Sequence, residues 1–297
     1  VLKLYFGVAR ANFLSLTLVC ICLAASYGWL MTGQLVWPEL ALVLAVALAA
    51  HISVNALNEY FDFRSGLDYL TEKTPFSGGS GTLLKYPDQA WQALVVGLVT
   101  LALVILGGLG LIAIQGWQLL WIGLPGVVII YAYTQHINRS PLLCLLAPGV
   151  GFGLLMTLGA SWVFSDQLDA GSWSLAVITA LLVSNLLLLN QFPDVEADRQ
   201  VGRCNYPILW GRRVSAWIFS GLLAVSYLVL VVAVWQQWLA VTSLLGLISL
   251  PLALVLMRGV ILRADDLKAL VPFMGLNILL CHLYPLLLAG GLVWAGN

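Results

Sequence analysis

Long apolar runs separated by short polar breaks set the pattern of this chain. Nine stretches, near 12–33, 38–60, 91–114, 117–134, 142–164, 173–192, 214–235, 238–257 and 270–294, are apolar over most of their length. A helix that crosses a bilayer needs roughly 20 such residues, so the pattern predicts nine transmembrane helices. Most breaks are short, which sets consecutive helices antiparallel and adjacent. Two are longer and polar, 61–90 and 193–213. The first run is too long for the core of a signal peptide and has no small-residue cleavage site. It reads as a membrane helix, and the sequence, which starts at Val1, is expected to lack a few initial residues.

Composition agrees with the pattern. Of 297 residues 61% are hydrophobic and only 9% charged, against about 25% charged in soluble proteins. The expectation is one all-α, polytopic membrane domain spanning residues 1–297. The formal net charge of zero hides an asymmetry. All Lys and Arg residues fall in the N-terminal segment and in the breaks after helices two, four, six and eight. By the positive-inside rule this places the N-terminus in the cytoplasm and the C-terminus outside, which requires an odd number of helices. Of the acids, only Glu39, Asp166 and Asp169 fall on the opposite side. Polar chemistry is thus concentrated on the cytoplasmic face, and no nucleic-acid partner is expected.

The two long breaks open with the same motif. Asn58-Glu-Tyr-Phe-Asp62 and Asn190-Gln-Phe-Pro-Asp194 both read N-x-x-x-D, and each is followed by a further carboxylate, Asp68 or Asp198. Helices two and six end on the same membrane face, so a weak internal duplication is a reasonable inference. Residues four apart share a helix face, which stacks Asn58 on Asp62, Asn190 on Asp194 and, if helix persists past Pro193, Asp194 on Asp198. Acids at helix C-termini oppose the macrodipole, and four converging carboxylates repel one another unless a divalent cation intervenes. An all-oxygen donor set suits Mg²⁺. The acids alternate with Arg64, Lys73, Arg199 and Arg203. Those cations serve either membrane topology alone or a diphosphate, whose oxygens call for both metal and Arg or Lys.

Between the motifs, Thr74-Pro-Phe-Ser-Gly-Gly-Ser-Gly-Thr82 is rich in glycine and hydroxyls. It has the composition of a closing flap or an anion-binding backbone, but lacks the Gly-Lys-Ser/Thr ending of a nucleotide-hydrolysing P-loop. The histidines, His51, His136 and His282, show no zinc or haem spacing. His51 lies about two turns from Asn58 on one face, either lining a cavity or buried with a hydrogen-bond partner. The five cysteines form neither a disulfide framework nor a zinc pattern. Tyr60, Phe61, Phe63, Tyr131, Tyr133 and Phe192 cluster near the acid-bearing helix ends, where aromatic faces can stabilise a carbocation.

Together these features resemble the UbiA superfamily of intramembrane prenyltransferases across nearly the whole chain. The resemblance rests on the two N-x-x-x-D motifs, Asp68 and Asp198, their four-helix spacing and the nine helices. The run Asn58 to Asp68 and the Ser77-Gly-Gly-Ser-Gly81 loop look most like the 1,4-dihydroxy-2-naphthoate polyprenyltransferase branch of menaquinone biosynthesis. Arg10-Ala-Asn-Phe-Leu14 resembles that branch's Arg-Pro-x-x-Leu, with Ala11 in place of Pro. Glu59 stands where the family commonly has Asp, and Tyr131 to Arg139 fits the acceptor-side loop only loosely.

The resemblance implies a nine-helix bundle around a central cavity, open to lipid and capped by cytoplasmic loops, in a bacterial inner membrane. It implies two Mg²⁺, held by Asp62 and Asp68 and by Asp194 and Asp198, with Asn58 and Asn190 assisting. Arg10, Lys73, Arg139 and Arg203 become candidates for diphosphate contacts, Tyr131 for substrate binding, and Arg139 also for an acceptor carboxylate. The partners implied are a polyprenyl diphosphate, an aromatic acceptor and the bilayer. Departure of diphosphate would leave an allylic cation for an electron-rich acceptor carbon to capture. The competing expectations are a family member with a non-quinone acceptor or terpene-cyclising activity, and a cation-coupled transporter. Transport predicts polar residues near the midplane of several helices.

Overall fold

The computed structural model describes residues 2–297, and among these the chain is almost wholly helical, with no strand. Nine long helices form the body: α1 Ala11–Thr32, α2 Trp37–Ser65, α3 Pro87–Gln115, α4 Trp117–Ala132, α5 Pro141–Ser165, α6 Ala170–Gln200, α7 Tyr206–Trp235, α8 Val241–Arg263 and α9 Leu267–Gly296. Eight are long and apolar enough to cross a membrane, and α4 is a shorter apolar helix. The outer surface is rich in exposed apolar side chains such as Leu106, Leu124 and Leu228. Exposed Trp37, Trp117, Trp121, Trp235 and Trp294 ring the end of the bundle opposite the acids, as an interfacial belt does. The protein is an integral membrane protein.

Consecutive helices pack as neighbours, α9 closes against α1, and α6 is the most buried of the nine. Its Leu182, Leu189 and Phe192 form a core with Phe219 of α7, Leu256 of α8 and Tyr284 of α9. Tyr284 stacks on Tyr227 with ring centroids 4.5 Å apart. In lipid such packing is driven by close contact and interhelical hydrogen bonds rather than by escape from water. The α2–α3 pair shows how: Ser53 Oγ donates to the Gly97 carbonyl at 2.8 Å, and Leu57 lies where a side chain at residue 97 would be. That clamp sits one turn before Asn58 and fixes the acid-bearing end of α2.

Two helix ends depart from the sequence expectation. The hydropathy of α2 fades at residue 60, yet the helix runs to Ser65 and stops at Gly66, whose φ of +81° suits a glycine C-cap. The second long break, expected over 193–213, is mostly helix: α6 runs through Pro193 to Gln200 and α7 starts at Tyr206. Proline removes one backbone donor, the one that would meet the Leu189 carbonyl four residues back, and the helix nevertheless continues beyond it. Arg212 Nε donates to the Phe192 carbonyl at 2.9 Å and ties the start of α7 to α6. On the opposite face Asp169 has a structural role, capping α6 in a reciprocal box with Ser172 and accepting from the Tyr27 hydroxyl at 2.6 Å.

Candidate active site

A cavity of about 830 Å³ opens among α1 to α6 and α9 at the end that carries the two motifs. Of the residues singled out from sequence, Arg10, Asn58, Asp62 and Asp68 line it from one side, and Asn190, Asp194, Asp198 and Arg203 from the other. Below this polar mouth the wall is apolar, with residues such as Val46, Ala50, Ile112 and Val127. The chamber therefore joins a charged end to a long greasy interior.

Each acid has a distinct setting. Asp62, on the last turns of α2, and Asp198, on α6, are both paired with Arg203. One guanidinium nitrogen meets Asp62 Oδ1 and the other meets Asp198 Oδ1 at 3.1 Å. Asn205 Nδ2 donates to the second oxygen of Asp198 at 3.1 Å, and Asn205 also caps α7. Burial works against the Arg203 charge, but Asp62 and Asp198 outweigh it and hold its pKa above the usual range. Asp68 returns to the cavity on the short helix Leu67–Leu70, beyond Gly66. It is buried, and its Oδ2 has no partner. Burial, then the charges of Glu59 and Asp62, push its pKa up to about 7, against the pull of Arg10 and Lys73. Asp194 Oδ1 is likewise buried without a partner.

Glu59, without an assigned part at the level of sequence, is a bracket. Its buried carboxylate accepts from Arg10 Nε at 2.7 Å, from the Ser80 backbone N–H at 2.8 Å and from the Ser80 hydroxyl at 2.6 Å. Arg10 also donates to Asn58 Oδ1 at 3.0 Å. The glycine-rich loop is thereby drawn over the mouth. At Gly79, with φ +70°, a Cβ would come within 3.1 Å of Asp68 Oδ1, so only glycine lets the backbone pass this close.

The structure does not bring three of the sequence candidates to the cavity wall. Lys73 is exposed and lays its ammonium group over Gly81. Tyr131 is 49% exposed in the last turn of α4, and Arg139 is exposed at the end of the Ile137–Arg139 turn. Their neighbours Tyr133 and Asn138 face inward instead, because the chain leaves α4 through a tight turn whose register hydropathy does not reveal. Among the aromatics expected near the site, only Tyr133 lines the cavity, whereas Phe192 is wholly buried in the α6 core. Phe13, Phe76 and Phe152 line it in their place; Phe13 and Phe76 lie in the Arg10–Leu14 and Thr74–Thr82 runs, and no motif marks Phe152 in the sequence.

Among the described residues no three acids, histidines or cysteines stand close enough together to hold a metal as they are, since Arg203 lies between Asp62 and Asp198. The donor set nevertheless fits Mg²⁺. It is all oxygen, comes from two facing helix ends and includes two buried carboxylate oxygens without a partner.

Comparison with known proteins gives a consistent result. The sequence profile of the UbiA prenyltransferase family matches residues 13–279. The 1,4-dihydroxy-2-naphthoate octaprenyltransferase of Mycobacterium leprae is 29% identical over 91% of this chain and 89% of its own length. The Bacillus subtilis protein of the same name is 28% identical over 69% of this chain, and that match spans 64% of its length, less than two thirds. A solved UbiA homologue from Archaeoglobus fulgidus, bound to DMAPP and Mg²⁺, shares the fold with a TM-score of 0.64 at 14% identity, covering 96% of this chain and 99% of that one.

Proposed function

From the premise that the chain belongs to the UbiA prenyltransferase family, we propose that it is a Mg²⁺-dependent prenyltransferase that moves a polyprenyl group from its diphosphate to an aromatic acceptor, a hydroxylated naphthoate, within the membrane. The observation that carries this reading is the pair of N-x-x-x-D motifs facing each other across the mouth of one apolar chamber. A site for an ion alone needs no such chamber; a diphosphate with a long hydrocarbon tail needs both ends. The relatives named for naphthoate prenylation support the aromatic acceptor.

In this reading residues 1–297 act as one unit in a bacterial inner membrane, with the N-terminus and the acids cytoplasmic and the C-terminus outside. Asp62 and Asp68 hold one Mg²⁺ and Asp194 and Asp198 a second, with Asn58 and Asn190 assisting. Bound there, the metal supplies Lewis-acid neutralisation of the departing diphosphate. Arg10 and Arg203 neutralise the remaining phosphate charge, Arg203 by exchanging its carboxylate partners for phosphate oxygens. Lys73 and Arg139 stand outside the wall and engage diphosphate or an acceptor carboxylate only as their loops fold inward. The loop over the mouth keeps water from the allylic cation, and Tyr133, Phe76 and Phe152 offer it aromatic faces.

The test is product analysis by mass spectrometry after incubating purified protein with Mg²⁺, prenyl diphosphates and a panel of acceptors. A prenylated naphthoate, absent when EDTA is added, is expected. Product formed only with lipid alcohols, or a cyclised terpene, would overturn the aromatic acceptor. Cation uptake into vesicles without any prenyl product would overturn the enzyme.

A further inference from the structure

Three histidines occur in the chain, and two of them have no nitrogen to offer the cavity. His136 is exposed in the turn after α4. His282 lines the cavity, but its Nδ1 lies 2.8 Å from the Ile278 carbonyl and its Nε2 lies 2.9 Å from Ser15 Oγ. His51 differs. Its Nδ1 lies 2.8 Å from Thr17 Oγ1, while its Nε2 has no hydrogen-bond partner among the described residues, and the residue, only 5% exposed, lines the cavity wall. Thr17 is wholly buried, and its hydroxyl makes no other hydrogen bond. Its hydrogen therefore points to Nδ1, and the ring proton of the neutral imidazole rests on Nε2, facing the cavity.

A second, independent feature holds the same ring. Phe152 packs edge-on to His51, with centroids 4.6 Å apart and planes at 79°. Phe152 belongs to a π-helical stretch within α5, Val150–Met156, a rare conformation found mostly at functional sites. That wide turn is pressed against α6: a Cβ on Gly153 would overlap Ala180, so glycine is what lets the segment sit there. Elements from α1 and α5 thus both fix the orientation of one imidazole on α2.

We propose that His51 donates the hydrogen bond that seats a ring oxygen of the aromatic acceptor. The assignment rests on the aromatic-acceptor reading above. His51 stands about two turns, roughly 10 Å, from Asn58 along α2, where the wall has become apolar. A diphosphate belongs with the acids and cations at the mouth, and a prenyl tail carries no polar atom. The acceptor oxygen is the ligand group left for an N–H that faces this chamber.

Steady-state kinetics of the full chain in lipid nanodiscs test it, with 1,4-dihydroxy-2-naphthoate as acceptor probe. His51→Phe keeps the ring beside Phe152 and removes the donor. It should raise the acceptor KM tenfold or more while the prenyl diphosphate KM changes less than twofold. His51→Gln, which retains an N–H, should restore most of the loss. If His51→Phe does not fold, Thr17→Val removes the hydroxyl that orients the ring and should raise the acceptor KM severalfold, again alone. Equal changes in both KM values, an unchanged acceptor KM or no rescue by Gln would overturn the assignment. Wild-type protein that binds prenyl diphosphate but prenylates no naphthoate would instead defeat the aromatic-acceptor reading, and this one with it.

Discussion

The two N-x-x-x-D motifs begin alike and are built differently. The first ends with its helix: Gly66 stops α2, and Asp68 returns on the separate helix Leu67–Leu70. The second stays helical, so that Asp194 and Asp198 lie on adjacent turns of α6. Glu59 braces the first and ties it to Arg10 and the loop residue Ser80, whereas Asn205, the N-cap of α7, braces the second. The same donors are thus mounted once on a continuous helix and once on a jointed segment tied to the glycine-rich loop. Such a pair allows one half to hold its geometry while the other closes over substrate. Arg203 links the two through Asp62 and Asp198.

Removing the acids breaks both halves and gives the largest effect. Asp62→Asn and Asp194→Asn should each lower diphosphate release on the order of a hundredfold or more, with circular dichroism of the helices unchanged. A folded double variant with near-normal turnover would remove both motifs from the chemistry. Next comes the link. Arg203→Gln leaves Asp62 and part of Asp198 as buried charges without a counterion, which costs about 3–5 kcal/mol. The melting temperature in EDTA should fall clearly, and Mg²⁺ should restore more of it than in the wild type. Equal melting temperatures in EDTA would show that Arg203 does not hold the motifs together.

What the sequence could and could not show follows the same division. Nine helices were legible because the span of a bilayer imposes a length and a hydropathy that no other constraint disguises. The paired Asn and Asp positions were legible because their spacing repeats. The continuation of α6 past Pro193 was not, since proline lowers helix propensity locally while the packing that buries Phe192, Val195 and Ala197 comes from the rest of the fold. The part played by Glu59 was hidden for a similar reason: its partners Arg10 and Ser80 come from other segments. Tyr131 and Arg139 were chosen for chemistry, and the turn after α4 presents Tyr133 and Asn138 instead. One or two residues of register decide which side chain faces inward, and only the folded turn sets them.

The loop that Glu59 holds sharpens the contrast at an intermediate scale. Glu59→Gln weakens the hold on Arg10 and Ser80 and should make residues 70–85 more sensitive to protease, with little change around Asp198. In the wild type, Mg²⁺ with a diphosphate analogue should protect the same segment. Equal sensitivity in all three states would mean that the loop is not a lid and that the first motif is as rigid as the second.

The smallest effect is a pH dependence to which Asp68 contributes. Burial and the charges of Glu59 and Asp62 push Asp68 up to about 7, whereas an unfolded chain holds Asp near about 3.9. Because the folded value is the higher, the folded protein binds this proton more tightly. The stability contributed by the group is full below about 3.9 and is lost as pH rises through about 7. A divalent cation beside the carboxyl favours the charged form instead. Below about pH 7 the metal has to displace the proton, so apparent Mg²⁺ affinity should fall with pH, by up to about tenfold per unit, and level off above. Calorimetric titration of Mg²⁺ with a prenyl diphosphate analogue in nanodiscs, at about pH 6 and about pH 8, reads this slope. Asp68→Asn should bind Mg²⁺ more weakly and make the slope shallower. A slope as steep in Asp68→Asn as in the wild type would show that Asp68 does not contribute to it.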